Sequence, residues 1–350
     1  MESRTVALPD AAAQHSPRPM PLFLDMVREQ TASDPERQAA VLAGLRAYQQ
    51  AERPGRREDI PVVATAGRVR LLDYGGSGPT AVFAPSLINP PFVLDLADHR
   101  SLLRWLSGQG VRPLLVDWGS PGADATQDIF GHAQLLLDLI AKLGEPAHLI
   151  GYCLGGTMTL AAAMEARLLS LTLIASPWHF AGFGPAARAE IGALWSSAKP
   201  TCQQLGLVPM EVLQSGFWRL DPARTIDKFA AFGRMDPASS EARSFVALED
   251  WANAGAPLTY AAGRELFEDM IGGDVTGTGA WHGVDPARLT APTLEFVSMS
   301  DRIVPAASSA RLPKARTLGL GHVGMIVGGR AKEQLWEPLA AMLSRPQQKR

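Results

Sequence analysis

The chain is poor in cysteine, with Cys153 and Cys202 the two among 350 residues. If one of them is chemically engaged, no disulfide framework is left, which suits a reducing compartment. An excess of one charge is also missing. Lys and Arg number 33 against 35 Asp and Glu, for a net charge of −2. Without a long basic tract, this balance argues against nucleic acid as the main partner. No uninterrupted apolar run is long enough to span a bilayer. Residues 1–21 mix charge, proline and polar side chains and lack the apolar h-region of a secretion signal. A cytoplasmic protein that is not transmembrane is expected, with association at an apolar surface left open. What is abundant is apolar: hydrophobic residues make up 46% and charged residues 19%, enough core for one large α/β domain with an insertion.

The pattern along the chain divides it into four stretches. Residues 1–20 read as a disordered leader and 21–58 as an N-terminal helical segment, its helix running over 22–52 until Pro54-Gly55-Arg56-Arg57 breaks it. Strand signals follow at 61–64, 69–74 and 80–84. Helix and strand then alternate: helix 101–109, strand 112–117, helix 130–143, strand 147–152, helix 155–167 and strand 171–175. That alternation predicts a mostly parallel central sheet with helices on both faces. Between 177 and 285 no clear strand is visible. Aromatic residues such as Trp178, Trp195, Phe229, Phe245 and Trp251 accumulate there, so a helical cap with an apolar lining is expected. Strands resume at 293–298 and 315–318, and a helix over 334–343 closes the chain. The core is thus expected to comprise residues 59–176 and 286–350.

The most informative segment is 148–156, His-Leu-Ile-Gly-Tyr-Cys-Leu-Gly-Gly. An apolar strand ends in Gly-x-Cys-x-Gly-Gly, which resembles the nucleophile elbow of α/β-hydrolases with cysteine in the place of serine. Gly151 and Gly155 leave room for strand and helix to approach closely. Cys153 is expected at the helix N-terminus, where the macrodipole favours an anionic nucleophile.

Such a nucleophile needs a base, and the base an orienting carboxylate, in the chain order nucleophile, acid, histidine. Asp301 follows the strand 293–298 and His322 follows the strand 315–318. The rivals, Asp117 and His179, fit the order less well; Asp117 reads as capping its own loop and His179 as a polar residue at the cap hinge. The oxyanion hole is expected from backbone N–H groups, one of Leu154 and one from the loop 85–89, where Leu87 and Ile88 are equal candidates. No cofactor or metal site is expected.

Several segments together resemble the polyhydroxyalkanoate synthases of the α/β-hydrolase superfamily. They are Cys153-Leu154-Gly155-Gly156-Thr157, the modified lipase box; Ser86 to Pro90 with Leu94-Asp95-Leu96; Leu114 to Gly119; Leu248 to Trp251; Asp301 to Pro305; and Gly321 to Gly324. The resemblance runs from about residue 60 to the C-terminus. It implies Cys153 as nucleophile, His322 as base and Asp301 as acid, acting on 3-hydroxyacyl-CoA to extend a polyester chain with release of coenzyme A. It also implies an apolar granule surface as surroundings, and a homodimer or a second synthase subunit as partner. Two positions depart from the family: Arg302 stands where histidine usually follows the acid, and Ala306 follows Val304-Pro305 where an aromatic or proline is frequent.

A thiolate suits this chemistry because attack on a thioester yields another thioester, so the acyl group stays activated for an alcohol acceptor. The alternative is a hydrolase (thioesterase, esterase or polyhydroxyalkanoate depolymerase) using the same three residues with water as acceptor.

Overall fold

The computed structural model describes residues 15–53, 59–122 and 124–344; most of the leader expected at 1–20 lies outside the described residues. By contact the chain divides into two compact units, Met1–Arg57 with Leu213–Ala254, and Glu58–Val212 with Gly255–Arg350.

The larger unit is built on an eight-stranded sheet. Its strands are β1 (Val62–Ala66), β2 (Val69–Asp73), β3 (Thr80–Ala84), β4 (Arg112–Asp117), β5 (Ala147–Tyr152), β6 (Leu168–Ile174), β9 (Thr293–Ser298) and β10 (Ala315–Leu318). A separate antiparallel pair, β7 (Leu207–Val208) with β8 (Leu258–Thr259), consists of two-residue strands. The strand order is β1-β2-β4-β3-β5-β6-β9-β10. β1 pairs antiparallel with β2 and β2 with β4, whereas every pairing from β4 to β10 is parallel. β3 and β5 lie next to each other in the interior of the sheet and are buried at every residue. Their near-continuous apolar sequences suit strands covered on both faces. Helix Leu102–Ser107 connects β3 to β4, helix Ile129–Leu143 connects β4 to β5, and helix Leu154–Ala162 connects β5 to β6. This is the α/β-hydrolase fold.

The smaller unit is helical. Helices Met20–Gln30 and Pro35–Gln50 replace the single helix expected over 22–52. The break has a local cause: the Asp34 side chain accepts the Arg37 N–H as an N-cap, and Pro35 takes the first helical position. Helices Pro222–Phe232 and Ser240–Asn253 complete the unit. Its core stacks rings edge to face, Phe23 on Phe229 at 5.0 Å and Tyr48 on Phe229 at 5.7 Å. A Cβ at Gly44 would overlap the Phe229 carbonyl, so glycine permits close approach of the two backbones there. The Tyr48 hydroxyl donates to Asp250 Oδ1 at 2.6 Å, and Arg53 bridges to the same carboxylate.

The boundaries of these units differ from the continuous 177–285 segment expected as a cap. Residues 213–254 group with the N-terminal helices, while 177–212 and 255–285 belong to the sheet unit. The aromatic side chains of Trp218, Phe229 and Phe245 explain the regrouping, since they form one hydrophobic core with Phe23 and Tyr48. No helix among the described residues is long and apolar enough to cross a membrane.

Candidate active site

The site begins where β5 ends. Cys153 follows Tyr152 directly and stands at φ 56°, ψ −133°, immediately before helix Leu154–Ala162. A non-glycine residue in this region costs about 1–3 kcal/mol and persists only where its surroundings enforce it. Here the enforcement is glycine packing. A Cβ at Gly151 would overlap Gly156 and Thr159, one at Gly155 would overlap the carbonyls of Ala84 and Pro85, and one at Gly156 would overlap Ser176. The helix start is therefore pressed against both β5 and the loop after β3. The Cys153 N–H donates to Ile174 O at 3.0 Å, tying the turn to β6.

His322 and Asp301 arrive from the C-terminal ends of β10 and β9. His322 Nδ1 donates to Asp301 Oδ2 at 2.6 Å, and its ring is attracted electrostatically to the Cys153 side chain. With Nδ1 committed to Asp301, Nε2 is the nitrogen left for the sulfur. Asp301 is held in turn: its Oδ1 accepts the N–H groups of Ile303 (2.8 Å) and Val304 (3.0 Å). Burial pulls the His322 pKa down, but the attraction of Cys153, the hydrogen bond to Asp301 and the Asp301 charge outweigh it. The net effect raises the pKa to about 10. All three residues are buried, so water screens these attractions weakly.

Arg302, the departure beside the acid, is exposed, whereas the Asp301 side chain is fully buried. The two rival residues sit in other settings. Asp117 accepts the Gly119 N–H at 3.0 Å and pairs with Arg70. His179 is half-buried, and its pKa is lowered by burial and then by Arg311, against the opposing pull of Asp274.

Facing Cys153 across the elbow is the loop 85–89. Trp118 Nε1 donates to Pro85 O at 2.9 Å and fixes its start. Leu154, first in its helix, has an N–H without an acceptor inside that helix. In the loop, the Ile88 N–H donates to Ser86 Oγ at 3.2 Å, whereas Leu87 has no such side-chain acceptor recorded among the described residues.

One neighbour was not anticipated from sequence. The buried Tyr152 ring stacks on the His322 imidazole, centroids 5.0 Å apart and planes at 24°, and its hydroxyl donates to His322 O at 3.1 Å. The available signal was a phenol at the buried end of an aliphatic strand, where the hydroxyl needs a partner.

The fold agrees with comparison to known proteins. The alpha/beta hydrolase family model matches residues 75–333, and the chain belongs to that family. Within it, the chain is similar to proteins named Poly(3-hydroxyalkanoate) polymerase subunit PhaC. The one from Haloferax mediterranei is 27% identical over 302 residues, covering 79% of this chain and 61% of that protein. The one from Haloarcula marismortui is 25% identical over 303 residues, covering 80% and 64%. The one from Synechocystis sp. is 25% identical over 291 residues, covering 75% and 76%. The chain thus spans less than two thirds of the length of the first two relatives.

Proposed function

We propose that this protein is a polyhydroxyalkanoate synthase-like acyltransferase that uses Cys153, His322 and Asp301 on 3-hydroxyacyl-CoA thioesters. The observation that carries the proposal is the His322–Asp301 hydrogen bond at 2.6 Å, with the imidazole attracted to Cys153 on its positive-φ elbow at a helix start. Similarity to proteins named Poly(3-hydroxyalkanoate) polymerase subunit supports a polyester product, from which the 3-hydroxyacyl-CoA substrate is inferred.

In the first half-reaction the Cys153 thiol gives its proton to His322, and the thiolate attacks the thioester carbonyl carbon. The carbonyl electron pair moves onto oxygen, and the backbone N–H groups of Leu154 and Leu87 receive it. Leu87 is preferred over Ile88 because the Ile88 N–H is already given to Ser86. When the tetrahedral centre collapses, the C–S bond to coenzyme A breaks. The departing sulfur takes a proton from His322, and the acyl group remains on Cys153. In the second half-reaction the 3-hydroxyl of an acyl chain attacks this new thioester and gives its proton to His322. An oxyester forms and the Cys153 sulfur is released. Asp301 keeps the imidazole in the tautomer that both steps require.

On this reading the reaction belongs to the cytoplasm, at the surface of an apolar polyester granule. The partner is a homodimer copy or a second synthase subunit. The test is incubation of the purified full chain with 3-hydroxybutyryl-CoA, with free acid, polymer and released coenzyme A measured separately. Polymer accompanying coenzyme A release is expected. Free acid without polymer would assign the same residues to hydrolysis.

A further inference from the structure

We propose that Tyr152 is a positioning residue for His322, fixing both the place and the charge of the imidazole from the position next to Cys153. This rests on the Cys153–His322–Asp301 reading above.

His322 sits in a glycine-rich loop. Gly319, Gly321 and Gly324 surround it, and a Cβ added at any of the three would meet nothing within 4 Å. Such a loop does not hold a side chain to catalytic tolerance by itself. Asp301 fixes one ring nitrogen, and the Ser298 hydroxyl donates to Leu320 O on the loop's approach. Tyr152 adds two further contacts to His322. Its hydroxyl grips the backbone carbonyl of His322 at 3.1 Å, and its ring covers one face of the imidazole. One side chain therefore restrains both backbone and ring of a residue 170 positions away. Because Tyr152 is bonded directly to Cys153, the restraint is referenced to the sulfur that His322 must reach.

The ring contact also has an electrostatic consequence. A cation over an aromatic face is attracted by the ring quadrupole, most strongly where water is excluded. Stacking on Tyr152 thus favours the imidazolium over the neutral ring. The phenol is suited to remain a donor throughout: burial, then the charges of Cys153 and Asp301, push its pKa well above 10. A tyrosine that merely filled core volume would leave the titration of His322 unmoved.

The test uses Tyr152→Leu and Tyr152→Phe in the full chain. Ring-labelled histidine NMR follows the His322 titration, its signal identified by loss in His322→Ala, and coenzyme A release gives kcat and KM. Tyr152→Leu should lower the His322 midpoint by about one pH unit and kcat by about tenfold or more, with KM within about twofold. Tyr152→Phe keeps the aromatic face, so the midpoint should return to the wild-type value. Its kcat should stay several-fold low, because the bond to the His322 carbonyl is lost. A folded Tyr152→Leu protein with wild-type midpoint and kcat overturns the proposal. If the leucine variant does not fold, wild-type kcat in Tyr152→Phe overturns it equally. A His322 midpoint that Cys153→Ala leaves unmoved would instead overturn the coupled site, and this proposal with it.

Discussion

Cys153 and Cys202 are both buried, at 9% and 2% exposure, yet their surroundings differ in every respect that matters for reactivity. Cys153 stands on a backbone turn at positive φ, at the start of a helix, with the His322 imidazole attracted to it. Cys202 lies inside helix Pro185–Leu205, and burial raises its thiol pKa. Burial alone makes a cysteine inert. What distinguishes the elbow is a charged partner brought in from a distant strand end.

The harshest way to break this comparison is to remove the sulfur. Cys153→Ala should reduce coenzyme A release by about 10⁴-fold or more. It should leave the circular dichroism spectrum and melting cooperativity intact, since alanine is smaller than the residue it replaces. His322→Ala should come close to the same loss. The double variant should be little worse than either single one, because the residues act as a unit. Fully additive losses, measured as kcat ratios, would dissolve that unit. Asp301→Asn should cost less, about 10²-fold, if the carboxylate orients the ring rather than exchanging protons.

A pH measurement sharpens the contrast further. The folded His322 pKa is raised to about 10 from 6.5. The stability it contributes is therefore fully present below pH 6.5 and is lost as pH rises through about 10. Activity should fall over the same upper range, as His322 loses the proton that departing coenzyme A needs. Cys153→Ala should shift the NMR midpoint of His322 downward, because attraction to the sulfur helps to hold it up. The unfolding free energy of wild type and variant, followed from pH 7 to 11, tests the sign.

The smallest effect is expected at the other cysteine. Cys202→Ala should leave kcat and KM within about twofold and cost about 1 kcal/mol of stability through lost packing. Alkylation by iodoacetamide at neutral pH should modify Cys153 first. If Cys202 reacts as fast, the difference in surroundings does not control reactivity.

Much of the elbow side was legible before the fold was known, for physical reasons. β3, β4, β5, β9 and β10 are short apolar or alternating runs bounded by turn residues, so local sequence carries their limits. The order of Cys153, Asp301 and His322 followed from the need to place each group at the C-terminal end of a parallel strand. The helical unit was less readable. Its grouping depends on contacts such as Phe23 with Phe229 and Gly44 against Phe229, which join segments far apart in the chain and leave no local pattern. The break at Asp34-Pro35 did have a local signal, a cap followed by proline, masked by apolar spacing that continues across it. The two-residue strands β7 and β8 are too short for any periodicity. Within the site, the bond from the Ile88 N–H to Ser86 depends on where that hydroxyl points, and the Tyr152–His322 stacking on ring orientation. Neither is encoded in residue spacing.

The most direct test of the central claim is to trap the acylated protein. Wild type is mixed briefly with 3-hydroxybutyryl-CoA, quenched in acid and digested, and each cysteine peptide is weighed. The Cys153 peptide should carry one 3-hydroxybutyryl group in step with coenzyme A release, the Cys202 peptide none, and Cys153→Ala should show neither adduct nor release. Coenzyme A release that continues in Cys153→Ala, or an acyl group found on Cys202 alone, would contradict the assignment of Cys153 as the nucleophile.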